Sequence, residues 1–340
     1  MPRKTKHNDI TSPELLAQVN PDNMQLMEDF LDYLKSIKRS EGTVEGYRSD
    51  LSIAFVWSLQ HNNNAFYCNW TKRNIIKYQN WLLNENGNSP ARVRRLKAAL
   101  SSLGGFVENI LDDEYPDFRN IINKVESPLN QPVREKTVWK DEELQALLDK
   151  LVELKAFDKA CYLALAMYSG RRKAELCRFK VSDFDDDRLV CNGALYKSSP
   201  IKTKGRSGGK FVPCYVLAKQ FKPYFDLWMS ERAKLGIESE WLFPLKSDLS
   251  DHIQISTANS WANTYSRLSG RHAYPHSLRH FFTSELSRAG IPDRVIQDIQ
   301  HWTSGDMVRI YIDSDTDEEL EKYFGEDGFK KVESKSLSDL

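Results

Sequence analysis

The chain reads as an α+β protein, mainly α with a small antiparallel β-sheet, arranged as a helical domain followed by a mixed one. Three observations predict this. Apolar residues recur at helical spacing through most of the chain, from Met27, Phe30, Leu31 and Leu34 to the segments beyond Leu217. Short β-prone runs cluster between Arg188 and Val216, with Gly205, Gly208 and Gly209 among them. A stretch holding Pro128 and Pro132 carries little helical pattern and divides the two regions. At 340 residues the chain has room for two domains of ordinary size.

In order, residues 1–22 are polar, carry Pro2, Pro13 and Pro21, and read as a flexible leader. Residues 23–125 read as a helical domain of four amphipathic helices. The first two hold Met27 to Leu34 and then Val44, Tyr47, Leu51 and Phe55, after the Ser40-Glu41-Gly42-Thr43 break. Ile75, Tyr78, Trp81 and Leu82 mark the third, ended by the run from Asn84 to Asn88. Val93, Leu96, Leu100, Leu103 and Val107 mark the fourth. The opposite face of this fourth helix holds Arg92, Arg94, Arg95 and Lys97, which suit phosphate oxygens or simply form a solvated face.

Residues 126–139 read as an interdomain linker. The second domain, 140–325, opens with a helix that Asp141 can cap, and the next, from Ala160 to Tyr168, stops at Ser169-Gly170. Runs at Arg188 to Cys191, Ala194 to Ile201 and Lys210 to Val216 predict one three-stranded antiparallel sheet with a glycine-rich tip. Helical patterns return at 217–234, 256–268, 277–289 and 292–300. Residues 326–340 form a tail.

The formal charge is zero, which at first argues against a polyanionic partner. The average hides a split. From Asp313 onward ten acidic residues face four basic ones, a net of about −6, so the rest carries about +6. A moderately basic body with an acidic tail is compatible with DNA. The five cysteines are scattered without a C-x-x-C pair, which suits a reducing cytoplasm and gives neither a disulfide framework nor a zinc knuckle. No apolar run approaches membrane-spanning length, and Met1 to Asp9 lacks a signal-peptide core, so no membrane partner is expected.

The chemistry concentrates in two places, Gly170-Arg171-Arg172-Lys173-Ala174-Glu175-Leu176 and the stretch from His276 to Tyr311. Cutting and resealing a phosphodiester without an energy source needs a covalent intermediate that stores the bond. A phenol serves well, because its pKa of about 10 makes it easier to deprotonate than an aliphatic alcohol and a better leaving group on reversal. Arginines such as Arg172 and Arg279 can bind the equatorial oxygens of a phosphoryl transition state. A lysine can protonate the departing oxygen, and Lys202 and Lys204 are the candidates. His272, His276 and His280 recur every four residues, as on a metal-binding helix face, but Pro275 takes His272 out of line, so no metal is expected.

Taken in order, Gly170, Arg172, Glu175 and Leu176 as a G-x-R-x-x-E-L box, Lys202, the His276/Arg279 H-x-x-R box and Tyr311 resemble the tyrosine recombinase, or phage integrase, family. His301 and Trp302 are adjacent candidates for its remaining position. Spacing favours Trp302, which lies 26 residues after His276 and nine before Tyr311; His301 then stands where a glycine is common. Trp302 with Thr303, and the Lys202-Thr203 pair, are similar to the Cre-like members.

The resemblance implies a helical core-binding domain that closes a C-shaped clamp on double-stranded DNA with the catalytic domain. It implies site-specific strand exchange, with Tyr311 as nucleophile of a 3′-phosphotyrosyl bond. Arg172, Arg279 and Trp302 would hold the non-bridging oxygens, His276 would move the nucleophile's proton, and Lys202, or failing it Lys204, would protonate the leaving oxygen. Glu175 would orient the hairpin or the histidine. It further implies a homo-tetramer assembled on DNA, no cofactor, and a leader too short for a folded arm-binding domain. Leu320, Tyr323 and Phe324 would dock on a neighbouring protomer or fold back on their own. A telomere resolvase or type IB topoisomerase would use the same residues, with larger added regions. A non-catalytic DNA-binding protein of the same fold would lack one of them, and none is missing.

Overall fold

The computed structural model describes residues 10–129, 137–203 and 209–311, with the short strands Phe324–Gly325 and Gly328–Phe329. It divides into two units: Met1–Glu135 with Lys204–Lys210, and Lys136–Thr203 with Phe211–Leu340.

The first unit is helical. Its main helices are Pro21–Ser36, Glu41–His61, Lys72–Asn80 and Pro90–Ile110, and Trp81–Glu85 continues the third as a π-helical turn. Caps explain the boundaries. Asn20, Thr71 and Ser89 each accept a backbone N–H of the first turn, and Pro21 and Pro90 stand where a missing N–H does no harm. The predicted break at Ser40 to Thr43 is shorter than expected, because Ser40 takes the extended N-cap position and the helix starts at Glu41. One core holds the unit together, centred on Leu31, Leu51, Phe55, Trp57, Tyr78 and Leu100, all at most 1% exposed.

The basic face predicted on the fourth helix needs correction. Lys97 is 3% exposed, and its ammonium donates to Gln79 Oε1 (2.8 Å), Val125 O (2.8 Å) and Glu126 O (3.2 Å). It lies four residues after Val93 and three before Leu100, so helical geometry puts it on the buried stripe. Arg92 and Arg95 are exposed in part but converge on Asp50, at 2.6 and 2.8 Å, while Arg94 donates to Pro128 O. Asp50 is itself buried.

The second unit is built around the helix Phe157–Ser169, whose residues Ala160 to Met167 are all buried. Asp141–Glu153, Ala218–Lys234, Ile255–Ser269 and Pro275–Arg288 pack with it, and Asp293–Gln300 and Asp306–Tyr311 follow. The chain is thus mainly helical with small antiparallel sheets. The predicted single sheet is in fact two. Leu189–Val190, Leu195–Lys197 and Tyr215–Leu217 form three antiparallel strands in that order, whereas Ile201–Thr203 pairs separately with Lys210–Val212. Pro200 has no N–H to give, and the Ser199 N–H is taken by Asp183 Oδ1 at 2.7 Å, so the ladder breaks between them. A third pair, Pro244–Leu245 with Asp248–His252, was not foreseen, because its strands alternate weakly.

Lys204, Leu320, Tyr323 and the tail after Phe329 lie outside the described residues, as do residues 1–9 of the leader, part of the linker and most of the glycine-rich tip. The rest of the leader holds the short helix Pro13–Leu16 and the start of the helix at Pro21. No described helix is long and apolar enough to cross a membrane.

Candidate active site

The short helix Asp306–Tyr311 ends on a small core of its own, where Tyr311 packs with Phe282, Leu286, Ile296, Trp302 and Val308. Tyr311 is 6% exposed, yet its hydroxyl meets His276 Nε2 at 3.0 Å. Both histidines of the helix Pro275–Arg288 serve this tyrosine. His280, one turn after His276, stacks on the phenol ring at 4.4 Å, and its Nδ1 lies 3.3 Å from Tyr311 O. The helix begins where Pro275 occupies its first turn and Tyr274 is extended, which separates His272 from the ladder. Among the described residues no group of three or more potential metal ligands forms.

Arg279 lies between the two histidines and is fully buried. Its guanidinium donates to Gly170 O (2.8 Å) and Gln300 O (3.1 Å) and sits over the rings of Trp302 (4.9 Å) and Tyr311 (5.5 Å). Burial, with Arg171 and Arg172 next, pushes this guanidinium down to about 9, so it is still a cation at neutral pH. Two buried donors at this centre, Arg279 Nε and Trp302 Nε1, have no acceptor among the described residues. A buried N–H without an acceptor is destabilising unless a ligand supplies one. An anion that accepts from both suits the site. Partial burial, followed by the charges on Arg279, His280, Arg172 and Lys173, holds His276 below the ordinary histidine range. The neutral imidazole can then take the tyrosine proton.

Arg172 is partly exposed, and Glu175 is buried beneath it. The Glu175 carboxylate accepts from the Arg172 backbone N–H and from its Nη1, both at 3.1 Å. Both of these contacts of the Glu175 carboxylate are to Arg172. Gly170 caps the preceding helix at φ +58°, where a Cβ would come within 2.5 Å of Phe282 Cδ1 and 2.7 Å of Gln300 Nε2. Only glycine fits there.

His301 and Trp302 part company. Trp302 is buried 4.8 Å from the Tyr311 ring, whereas His301 turns its Nε2–H to Pro213 O at 2.7 Å. His301 ends its helix in the left-handed region at φ +53°, the conformation that favours glycine, and the bond to Pro213 offsets part of that strain. Lys202 is exposed on the strand Ile201–Thr203, and Arg178 binds its carbonyl. The structure thus gathers Arg172, Glu175, His276, Arg279, Trp302 and Tyr311 into one centre, and the strand that carries Lys202 packs against the short helix Lys173–Leu176 that holds Glu175. Sequence reasoning missed His280, Arg171 and Gln300. The signal for His280 was its spacing of four from His276, which was read only for metal.

A tyrosine hydroxyl on a histidine imidazole, beside buried cationic and indole donors, is an arrangement suited to phosphoryl transfer. The model of the phage integrase family matches residues 138–318. The SPbeta prophage-derived recombinase-like protein YomM of Bacillus subtilis is 28% identical over 286 residues, 82% of each chain. Among solved structures, the fold is shared with XerH recombinase bound to palindromic difH in a post-cleavage complex (TM-score 0.64, 17% identity, 88% of this chain and 83% of that one). It is shared too with a lambda integrase tetramer bound to a Holliday junction (TM-score 0.62, 16% identity, 85% and 77%). The chain belongs to the phage integrase family, the tyrosine recombinases, and is an enzyme that breaks and rejoins DNA strands at specific sites.

Proposed function

We propose that Tyr311 is the nucleophile and that the reaction runs within one protomer's own site. His276 Nε2 takes the hydroxyl proton, Tyr311 Oη attacks the scissile phosphorus, and the bond from phosphorus to the 5′ oxygen breaks. The strand's 3′ side is left as a phosphotyrosyl ester. Lys202 gives the leaving oxygen its proton, and reversal by the 5′ hydroxyl of another strand reseals the backbone. Arg172, Arg279 and Trp302 bind the non-bridging oxygens, and these donors supply the positive field of the transition state. The observation that carries this reading is the 3.0 Å contact between Tyr311 Oη and His276 Nε2, made beside the two buried donors that lack acceptors among the described residues.

Strand exchange joins two duplexes, so the working form is a homo-tetramer on double-stranded DNA with a specific site, acting inside the cell. The lambda integrase tetramer on a Holliday junction supports that assembly by likeness of fold. On the helical unit, Arg94, Arg95 and Arg92 remain the phosphate-contact candidates.

The test uses lightly nicked genomic DNA of the encoding organism, incubated with the full chain and then denatured. The expected result is a protein–DNA adduct that survives denaturation and is absent with Tyr311→Phe. An undiminished adduct from that variant overturns the assignment.

A further inference from the structure

Arg171 adjoins the candidate phosphate ligand Arg172 in sequence, yet its side chain is buried in the protein and 1% exposed. Its guanidinium meets three segments at once. Nε donates to Ser169 O (3.4 Å), the last residue of the helix before the Arg172 box. Nη1 approaches Cys214 Sγ (3.7 Å), which lies between the strand Lys210–Val212 and the three-stranded sheet, at the foot of the hairpin that carries Lys202. Nη2 donates to Ile299 O, in the last turn of the helix that leads to Trp302.

These acceptors are two carbonyls and a thiol that burial keeps neutral, so none is an anion. A buried cation without a counter-charge is strongly destabilising. Two helix C-termini supply the compensation, each carrying about half a negative charge. Arg279 repeats the arrangement one residue further along both helices, bridging Gly170 O to Gln300 O as Arg171 bridges Ser169 O to Ile299 O. Two guanidiniums therefore staple the same pair of helix ends. Arg171 alone of the two also reaches the hairpin foot, where His301 makes a second link through Pro213 O. An aliphatic side chain would fill this volume and make none of the three polar contacts.

We infer that Arg171 is a positioning residue that locks the Lys202 hairpin in register with Arg172 and Trp302. The inference rests on the roles proposed above for those three residues. It concerns alignment of the leaving-group acid rather than DNA binding.

The probe is the nicked duplex that the unmodified protein captures from genomic DNA, resynthesised with either oxygen or sulfur at the 5′ bridging position. A thiolate departs without a proton, so the sulfur substrate does not need the acid. Single-turnover adduct formation is measured with protein in excess. Arg171→Met is expected to cleave the oxygen substrate about tenfold or more slower at a DNA affinity within about twofold of the original, and the gap should close to about threefold or less on sulfur. Arg171→Lys keeps the charge but cannot span three partners, and should fall between. Cys214→Ala removes only the hairpin contact and keeps the cation; it should show a smaller defect that sulfur also erases, and it covers the case in which Arg171→Met does not fold.

Lys202→Ala serves as the reference. If sulfur rescues Lys202→Ala but neither Arg171→Met nor Cys214→Ala, the inference is wrong and the proposed chemistry stands. If sulfur fails to rescue Lys202→Ala, the assignment of the acid is wrong, and the alignment role built on it is overturned as well. Cleavage of the oxygen substrate at the original rate by Arg171→Met also overturns it.

Discussion

At the scale of residues, the proposed mechanism needs His276 neutral beside the cationic Arg279. Partial burial first and the neighbouring cations second lower the His276 pKa. The active form is the unprotonated one, so cleavage is lost as pH falls through this lowered value, and the acid limb moves down with it. Single-turnover adduct formation followed from about pH 5 to about pH 8 should show an acid midpoint below the ordinary histidine value of about 6.5. A midpoint at or above that value would contradict the placement of His276. Gly170 gives a second prediction at this scale. In Gly170→Ala the new methyl meets Phe282 and Gln300 in a left-handed conformation, and together these should remove about 2–4 kcal/mol of stability. Thermal unfolding checks the loss, and an unchanged melting temperature would mean that the two helix ends do not meet as closely as described.

At the scale of elements, periodicity located most helices because each one buries a single apolar stripe, and caps such as Thr71 and Ser89 mark where they start. The candidate boxes were legible for a different reason: Arg172, His276, Arg279, Trp302 and Tyr311 stand in the order and spacing of the family pattern, and the fold brings them together. Charge was the poorer guide. Lys97 carries a cation on a buried stripe, which only its three acceptors explain, and Asp50, 42 residues before Arg92 along the chain, gave no sign of gathering two arginines. The strand run at Ala194 to Ile201 was misjudged because the side chain that breaks its ladder, Asp183, comes from elsewhere. Buried Arg171 was invisible for the same reason, since two of its three acceptors, Cys214 Sγ and Ile299 O, come from distant segments. These placements predict distinct outcomes for two basic residues of one helix. Lys97→Met should lower stability by about 1–3 kcal/mol and leave the salt dependence of DNA binding unchanged. Arg95→Ala should reduce that salt slope by about one. Anisotropy titrations over a range of salt distinguish them, and a reduced slope for Lys97→Met would restore it as a phosphate contact.

At the scale of the whole molecule, both units draw on the same economy of buried cations. In the helical unit Gln79 and two backbone carbonyls answer Lys97; in the catalytic unit two helix ends answer Arg171 and Arg279, leaving Arg279 Nε without an acceptor among the described residues. Family membership fixes the class of reaction, and the geometry around Tyr311 supports the proposal of which atoms carry it. A neutral formal charge did not exclude DNA, because the sum over the chain hides the buried arginines Arg171 and Arg279 clustered in the catalytic unit. The most direct test of this account is to digest the denatured protein–DNA adduct and locate the modified residue by mass spectrometry. The account predicts a nucleotide esterified to Tyr311 Oη through its 3′ phosphate, with no other residue modified. A nucleotide on any other side chain, or a 5′ linkage, would contradict it.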